Sequence, residues 1–184
     1  MRAIMGHAHH PYRRGASAVA GTLSAMGMIL IGRRLTVADH QRLLADHSLA
    51  TELLHADRAG PELDLDKAWH GIHFLLAGNA WEATGGAGEA VLGGEPVGDE
   101  AGYGPARLLG PEQVRTVAAA LTPITVDTLR SRYDGPTLDA AEVYPHIWDE
   151  EDVFDTYLAP NFTQLRTFYL AAADAGQAVL LAVV

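Results

Sequence analysis

Residues 63–76 read Leu-Asp-Leu-Asp-Lys-Ala-Trp-His-Gly-Ile-His-Phe-Leu-Leu and bring two carboxylates, two histidines, a lysine and a tryptophan into one stretch. Its apolar residues recur at helical spacing, as Leu65, Trp69, Ile72 and Leu76, which predicts one buried helical stripe. An aspartate ahead of the stripe can accept the free amide hydrogens of a first turn. Gly78 suits the left-handed conformation just past a helix end. We therefore expect a helix here, with the rest of the chain packed around it.

The polar residues of this segment allow a catalytic and a structural interpretation. Asp66, His70 and His73 would share a second helix face, because residues three and four apart lie about 5–6 Å apart at Cβ. A carboxylate and two imidazoles can bind a metal ion, which makes a metal-dependent hydrolase one hypothesis. Zinc-binding helices, however, usually carry histidines at i and i+4 with a glutamate between them, whereas His70 and His73 are three residues apart. A purely structural network, in which Asp66 caps the helix and pairs with His70, explains the same residues.

Length and composition narrow the class of protein. The 184 residues fit a single domain, and 48% hydrophobic with 20% charged residues is typical of a soluble globular protein. A formal net charge of −10 opposes binding to nucleic acid, and no apolar run is long enough for a membrane helix. The absence of cysteine excludes thiolate metal ligands and is typical of a reducing compartment. We expect a cytoplasmic protein that binds neither nucleic acid nor a membrane and that carries no cofactor.

The first residues differ from the rest of the chain. Residues 1–27 contain three arginines, three histidines and a run of small residues without hydrophobic periodicity. We interpret residues 1–27 as a disordered or non-native extension, and residues 28–184 as the folded domain. Polar residues interrupt the apolar part of the extension, which argues against a secretory signal.

The remaining pattern predicts helices between two buried strands. Residues 28–31 and 178–184 are continuous apolar runs typical of buried strands. Helix starts are predicted at Thr36, Ser48, Pro111 and Thr125, and a long helix after residue 152 should be kinked or split by Pro160. The fold class that follows is α+β: a single domain with a mixed β-sheet and several packed helices.

The glycine-rich segment from Gly78 to Gly94 resembles a phosphate-binding loop in composition only. No lysine followed by serine or threonine is present, and no strand-then-helix frame accompanies the glycines. We therefore predict a flexible surface loop with a hairpin turn.

Two further motifs carry polar and aromatic side chains. Residues 102–107, Gly-Tyr-Gly-Pro-Ala-Arg, predict a sharply turned backbone that presents Tyr103 and Arg107. The guanidinium is suited to binding a carboxylate or another anion, although an arginine paired with one of the many acids is the alternative. Residues 144–149, Tyr-Pro-His-Ile-Trp-Asp, predict a rigid, packed turn.

Taken together, the segments 63–76, 102–107 and 144–149 resemble the YfbM-like family of small bacterial proteins of unknown function. The resemblance covers residues 28–184 and implies an α+β single domain in a bacterial cytoplasm. It implies no activity, cofactor or catalytic residue. Two features depart from the family pattern: the N-terminal extension, and Pro160 within a helix that looks continuous in relatives.

The residue types in the three motifs favour recognition over catalysis. Tryptophan, tyrosine, arginine and histidine dominate recognition surfaces, and no chain of nucleophile, base and orienting group can be assembled. We predict a non-catalytic module that binds a small molecule or a protein; the metal-dependent hydrolase and the structural network stay open as alternatives. The candidate binding residues are Asp66, Trp69, His70, His73, Tyr103, Arg107, Tyr144, Trp148 and Asp149.

Overall fold

Five strands form one sheet in the computed structural model, which describes residues 27–56 and 62–184. The strands are Leu30–Leu35 (β1), Leu63–Asp64 (β2), Glu95–Glu100 (β3), Pro105–Leu109 (β4) and Ala178–Val183 (β5). They lie in the order β2-β1-β5-β4-β3, and every neighbouring pair is antiparallel. The α+β class is confirmed, but the sheet is antiparallel and not mixed. Apolar runs predict strands without encoding their direction, which the connections between strands decide.

Helices cover both faces of this sheet. The α-helices of the described residues are Val37–Ala45 (α1), Ala50–Leu54 (α2), Ala68–Ala77 (α3), Gly85–Leu92 (α4), Pro111–Leu121 (α5), Val126–Arg130 (α6), Gly135–Ala140 (α7) and Ala159–Asp174 (α8). The starts predicted at Thr36, Pro111 and Thr125 are confirmed: the hydroxyls of Thr36 and Thr125 accept backbone N–H groups of the first turn. None of these helices is long and apolar enough to cross a membrane.

The central strand β5 separates two hydrophobic cores. Its alternate residues Val179 and Leu181 belong to the larger core, under α3, α5 and α8. Leu180 and Ala182 belong to the smaller core, under α1 and α2. The strand carries no polar residue because both of its faces are buried, as its sequence predicted.

The predicted helix at residues 63–76 is wrong over its first part. Leu63 and Asp64 pair with β1 as a short edge strand, and Asp66 has a positive φ of 46°, so the helix begins only at Ala68. Leu63 and Leu65 are fully buried at a spacing of two, which is a strand pattern. The spacing of four residues between Leu65 and Trp69 fits a helix as well as a strand. Pairing with the edge of the sheet favours the strand over residues 63–64.

The predicted flexible loop between Gly78 and Gly94 is wrong over residues 85–92, which form α4. Helix α4 packs on α3 at Gly88, where an added Cβ would lie 3.0 Å from the Cβ of Ala77. The small residues of this segment therefore allow two helices to approach closely. The low helix propensity of glycine favoured a loop, and it contains no information about that contact.

The last helix changes pitch just before Pro160, the residue that was predicted to kink or split it. Residues Phe154–Leu158 form one wide π-helical turn, and α8 follows with Pro160 in its first turn, where its missing N–H costs no hydrogen bond. The segment is thus interrupted without being broken.

Substitution of Gly71 tests the packing of α3. An alanine Cβ would lie 2.6 Å from Cη2 of the buried Trp148 ring, so we expect Gly71→Ala to lower the free energy of unfolding by about 1–3 kcal/mol. Denaturant unfolding of Gly71→Ala, Trp148→Phe and the double variant measures the effect. The smaller ring should make the double variant more stable than the sum of the single losses, whereas strict additivity would contradict the proposed contact.

Candidate functional site

A pocket of about 420 Å³ lies between the sheet and helices α3 and α4. Residues of β1, β4 and β5 form one wall, and Trp69, Val91 and Leu92 contribute to the opposite wall. Its volume falls within the range of sites that hold small molecules. Apolar side chains dominate the lining, so any ligand would exchange water for hydrocarbon over most of its surface.

Strand β4 brings Arg107 to this pocket. In the antiparallel register Arg107 lies opposite Leu181 of β5, which also lines the pocket. Its neighbours Ala106 and Leu108 belong to the smaller core on the other face of the sheet. Because side chains alternate along a strand, Arg107 reaches the pocket face, as does Pro105 two residues earlier.

Two backbone carbonyls hold the Arg107 guanidinium. Nε donates to the carbonyl of Gly93 at 2.9 Å, and Nη2 donates to the carbonyl of Gly94 at 2.8 Å. Gly94 has a φ of 85°, in the left-handed range, and an added Cβ would collide with the carbonyl of Leu108. The expected pairing of Arg107 with an acid is therefore not found, because carbonyls of this glycine turn take its place.

Two exposed aromatic side chains, Trp81 and Tyr103, also line the pocket. They are 61% and 56% exposed, which is unusual for rings of this size. Tyr103 lies in the turn between β3 and β4, where its backbone N–H donates to Val183. Trp81 lies in the connection between α3 and α4. The pocket thus presents two aromatic rings to solvent.

His70 positions the connection that carries Trp81. Its Nε2 lies 2.7 Å from the carbonyl of Ala80, and its Nδ1 lies 3.1 Å from the backbone nitrogen of Tyr144. Because Nδ1 must accept that N–H, the proton resides on Nε2 and the ring is neutral. The ring is stacked on Trp69 and contacts Trp81, at centroid distances of 4.6 and 4.3 Å. A single buried imidazole thereby joins α3 to two separate segments.

The pKa of His70 is lowered from its ordinary value. Burial is the main cause, the hydrogen bond to Ala80 opposes it, and the nearby His146 adds to it. The lowered pKa favours the neutral form that both hydrogen bonds require.

His73 is completely buried, and neither ring nitrogen makes a hydrogen bond within the described residues. Burial and the neighbouring His70 lower the pKa of His73 to about 4. Backbone groups of Gly88 and Glu82 oppose that shift, but they do not meet hydrogen-bond geometry. We interpret His73 as a neutral core residue, since charging it would leave an unpaired cation in the core.

The predicted shared face of Asp66, His70 and His73 does not form. Asp66 precedes α3 without capping it, and its carboxylate accepts a hydrogen bond of 2.7 Å from the Tyr157 hydroxyl. Burial and this carboxylate raise the pKa of Tyr157. The pairing of Asp66 with His70 is also wrong, because both ring nitrogens of His70 are bonded to backbone groups. Within residues 27–56 and 62–184, no group of three or more histidine or acidic side chains could hold a metal ion.

The pocket therefore brings together only some of the predicted site residues. Trp69, Tyr103 and Arg107 line it, and His70 lies behind it. Trp148 lies elsewhere, 1% exposed, with its indole N–H donating to Val143 at 2.6 Å. The predicted residues outside the lining are Asp66, His70, His73, Tyr144, Trp148 and Asp149. Trp81 was not among the predicted site residues; its signal was a large aromatic residue in the short connection at residues 78–84.

Acid titration tests the burial of His73. In the unfolded chain its pKa is near 6.5 and in the folded chain about 4, so only the unfolded state takes up a proton between these values. The contribution of the neutral His73 to the free energy of unfolding is fully present above pH 6.5. It is lost as the pH falls toward 4, by about 3 kcal/mol for this residue.

Denaturant unfolding across that pH range should show a flatter profile for His73→Leu than for the original chain. The same change at the exposed His55 serves as the control. Parallel profiles for the original chain and His73→Leu would rule out a neutral, buried His73.

Comparisons with known proteins agree with this fold. No curated protein matches the chain. A protein of unknown function, YfbM from Escherichia coli, is similar in structure, with a TM-score of 0.66 and 21% sequence identity. The match covers 86% of this chain and 100% of that one, and at this identity it shows the fold alone. The resemblance to YfbM-like proteins is thus confirmed. The family model for a domain of unknown function, DUF1877, matches residues 26–182, so the chain belongs to the DUF1877 family.

Proposed function

We propose that this protein is a non-catalytic module that binds a small molecule in the pocket between the sheet and helices α3 and α4. The observation that carries the proposal is the exposure of Trp81 and Tyr103 on a concave, mostly apolar lining that also contains Arg107. Scattered apolar residues on a surface need no explanation, but aromatic rings grouped around a pocket are typical of recognition sites. The cytoplasmic location and the absence of a nucleic-acid partner stay predictions.

The construction of the pocket supports binding by a preformed site. His70 bonds the connection that carries Trp81, and the carbonyls of Gly93 and Gly94 bond Arg107. Groups fixed in this way lose little conformational freedom when a ligand enters, which favours affinity. The metal-dependent hydrolase has no comparable support among the described residues, because its three proposed ligands do not converge.

Binding of four small fragments provides the first test. The fragments are phenylacetate, phenylacetamide, phenethylamine and cyclohexanol, and ligand-observed saturation-transfer NMR measures their binding. We expect the fragments with an aromatic ring to bind, and cyclohexanol to bind more weakly because a saturated ring does not stack. Stacking on an aromatic side chain contributes about 0.5–1.5 kcal/mol, so removing both rings should weaken binding by about fivefold to a hundredfold.

The variants for this test are Trp81→Ala with Tyr103→Ala, and a control that removes two exposed side chains of α1 far from the pocket, Val37→Ala with Leu44→Ala. The control should bind as the original chain does. If no fragment binds, or if both double variants bind equally well, the pocket is not a small-molecule site.

A further inference from the structure

We infer that the ligand of this pocket carries a carboxylate, which the Arg107 guanidinium binds through its terminal edge, beside an aromatic or branched aliphatic body. The inference rests on the proposed function and specifies its ligand. Arg107 is the charged side chain among the described residues that line the pocket, and no acidic residue lines it. In a chain of net charge −10, this pocket is thus a local site of positive charge.

The hydrogen bonds of Arg107 leave one edge of the guanidinium available. Of its five N–H donors, one on Nε and one on Nη2 bond to Gly93 and Gly94, which leaves both donors on Nη1 and one on Nη2. Nε–H and the neighbouring N–H of Nη2 form the side edge of the planar group, and two successive carbonyls bond along that edge, so no described residue occupies the terminal edge, with one N–H from each of Nη1 and Nη2. This is the pair of parallel donors that matches the two oxygens of a carboxylate.

The charge of Arg107 is also uncompensated within the described residues. Its side chain is half-buried, and no carboxylate there lies within ion-pair distance. Other arginines, such as Arg34 and Arg130, pair with Glu62 and Asp155. Carbonyl dipoles satisfy hydrogen bonds but do not neutralise a cation, so an anion in the pocket would gain from a charge that is already partly desolvated.

The rest of the lining limits the class of anion. A phosphate dianion needs several donors or cations, and this pocket offers a single guanidinium among side chains such as Leu30, Val91 and Leu181. One carboxylate satisfies the terminal edge completely. The exposed rings of Trp81 and Tyr103 then suit a planar or apolar body by stacking and burial.

The test compares acids with their uncharged amides by isothermal titration calorimetry at low salt. The pairs are phenylacetate with phenylacetamide, 3-phenylpropionate with its amide, and isovalerate with its amide. Each member of a pair has nearly the same shape, so the ratio of their affinities reports the charge. We expect each acid to bind about tenfold to a hundredfold more tightly than its amide, because hydrogen bonds to charged groups are the stronger ones.

Arg107→Gln should reduce that ratio to about one, and Arg42→Gln on α1 should leave it unchanged. Arg107 also holds the glycine turn, so circular dichroism of the variant verifies its fold; the ratio measured on the original chain stands without any variant. Equal affinities of acid and amide would overturn the inference while leaving the proposed function intact. Binding of no member of any pair would overturn both.

Discussion

Burial of β5 on both faces is the constraint on which the rest of this structure depends. A strand between β1 and β4 with apolar side chains on both sides needs a helical layer over each face, and the two cores supply these layers. The same register sets Arg107 opposite Leu181, on the face under α3 and α4. A charged side chain is thereby placed at a pocket as a consequence of how the core is built.

Two polar devices then fix the walls of the pocket. The neutral His70 ring bonds Ala80 and Tyr144, and so ties α3 to the connection that bears Trp81. The carbonyls of Gly93 and Gly94 hold Arg107 from the other side. Both devices pair part-buried side-chain and backbone groups, so they serve folding and site geometry together. Neither device involves a nucleophile or a metal ligand set.

The sequence predicted the elements better than it predicted their contacts. The continuous apolar run of β5 and the caps at Thr36 and Thr125 are local signals, and they were identified correctly. The strand predicted at residues 28–31 is shifted, because β1 spans Leu30–Leu35 and continues through the glycine and arginines that were expected to end it. The strand at residues 63–64 was missed because helical and extended spacing coincide at Leu65 and Trp69. Pairing with the edge of β1 makes residues 63–64 a strand. A local sequence pattern does not contain information on which strand lies beside it.

The site was predictable only in part for the same reason. Tyr103 and Arg107 were selected for their chemistry, and the sheet register brings both to the pocket. The grouping of Asp66 with His70 assumed that one helix contained both residues. Trp81 was overlooked because its role depends on its contact with His70 across the turn that follows α3.

Nuclear magnetic resonance of the arginine side chains, in protein labelled with ¹⁵N-arginine, tests whether Arg107 binds the carboxylate of a ligand in the pocket. Signals of Arg107 are assigned by their absence in Arg107→Gln, and phenylacetate is then added. We expect the Nη signals of Arg107 to shift most, while Nε, bonded to the Gly93 carbonyl, shifts less. Unchanged Arg107 signals at saturating ligand, or shifts confined to another arginine, would contradict that binding.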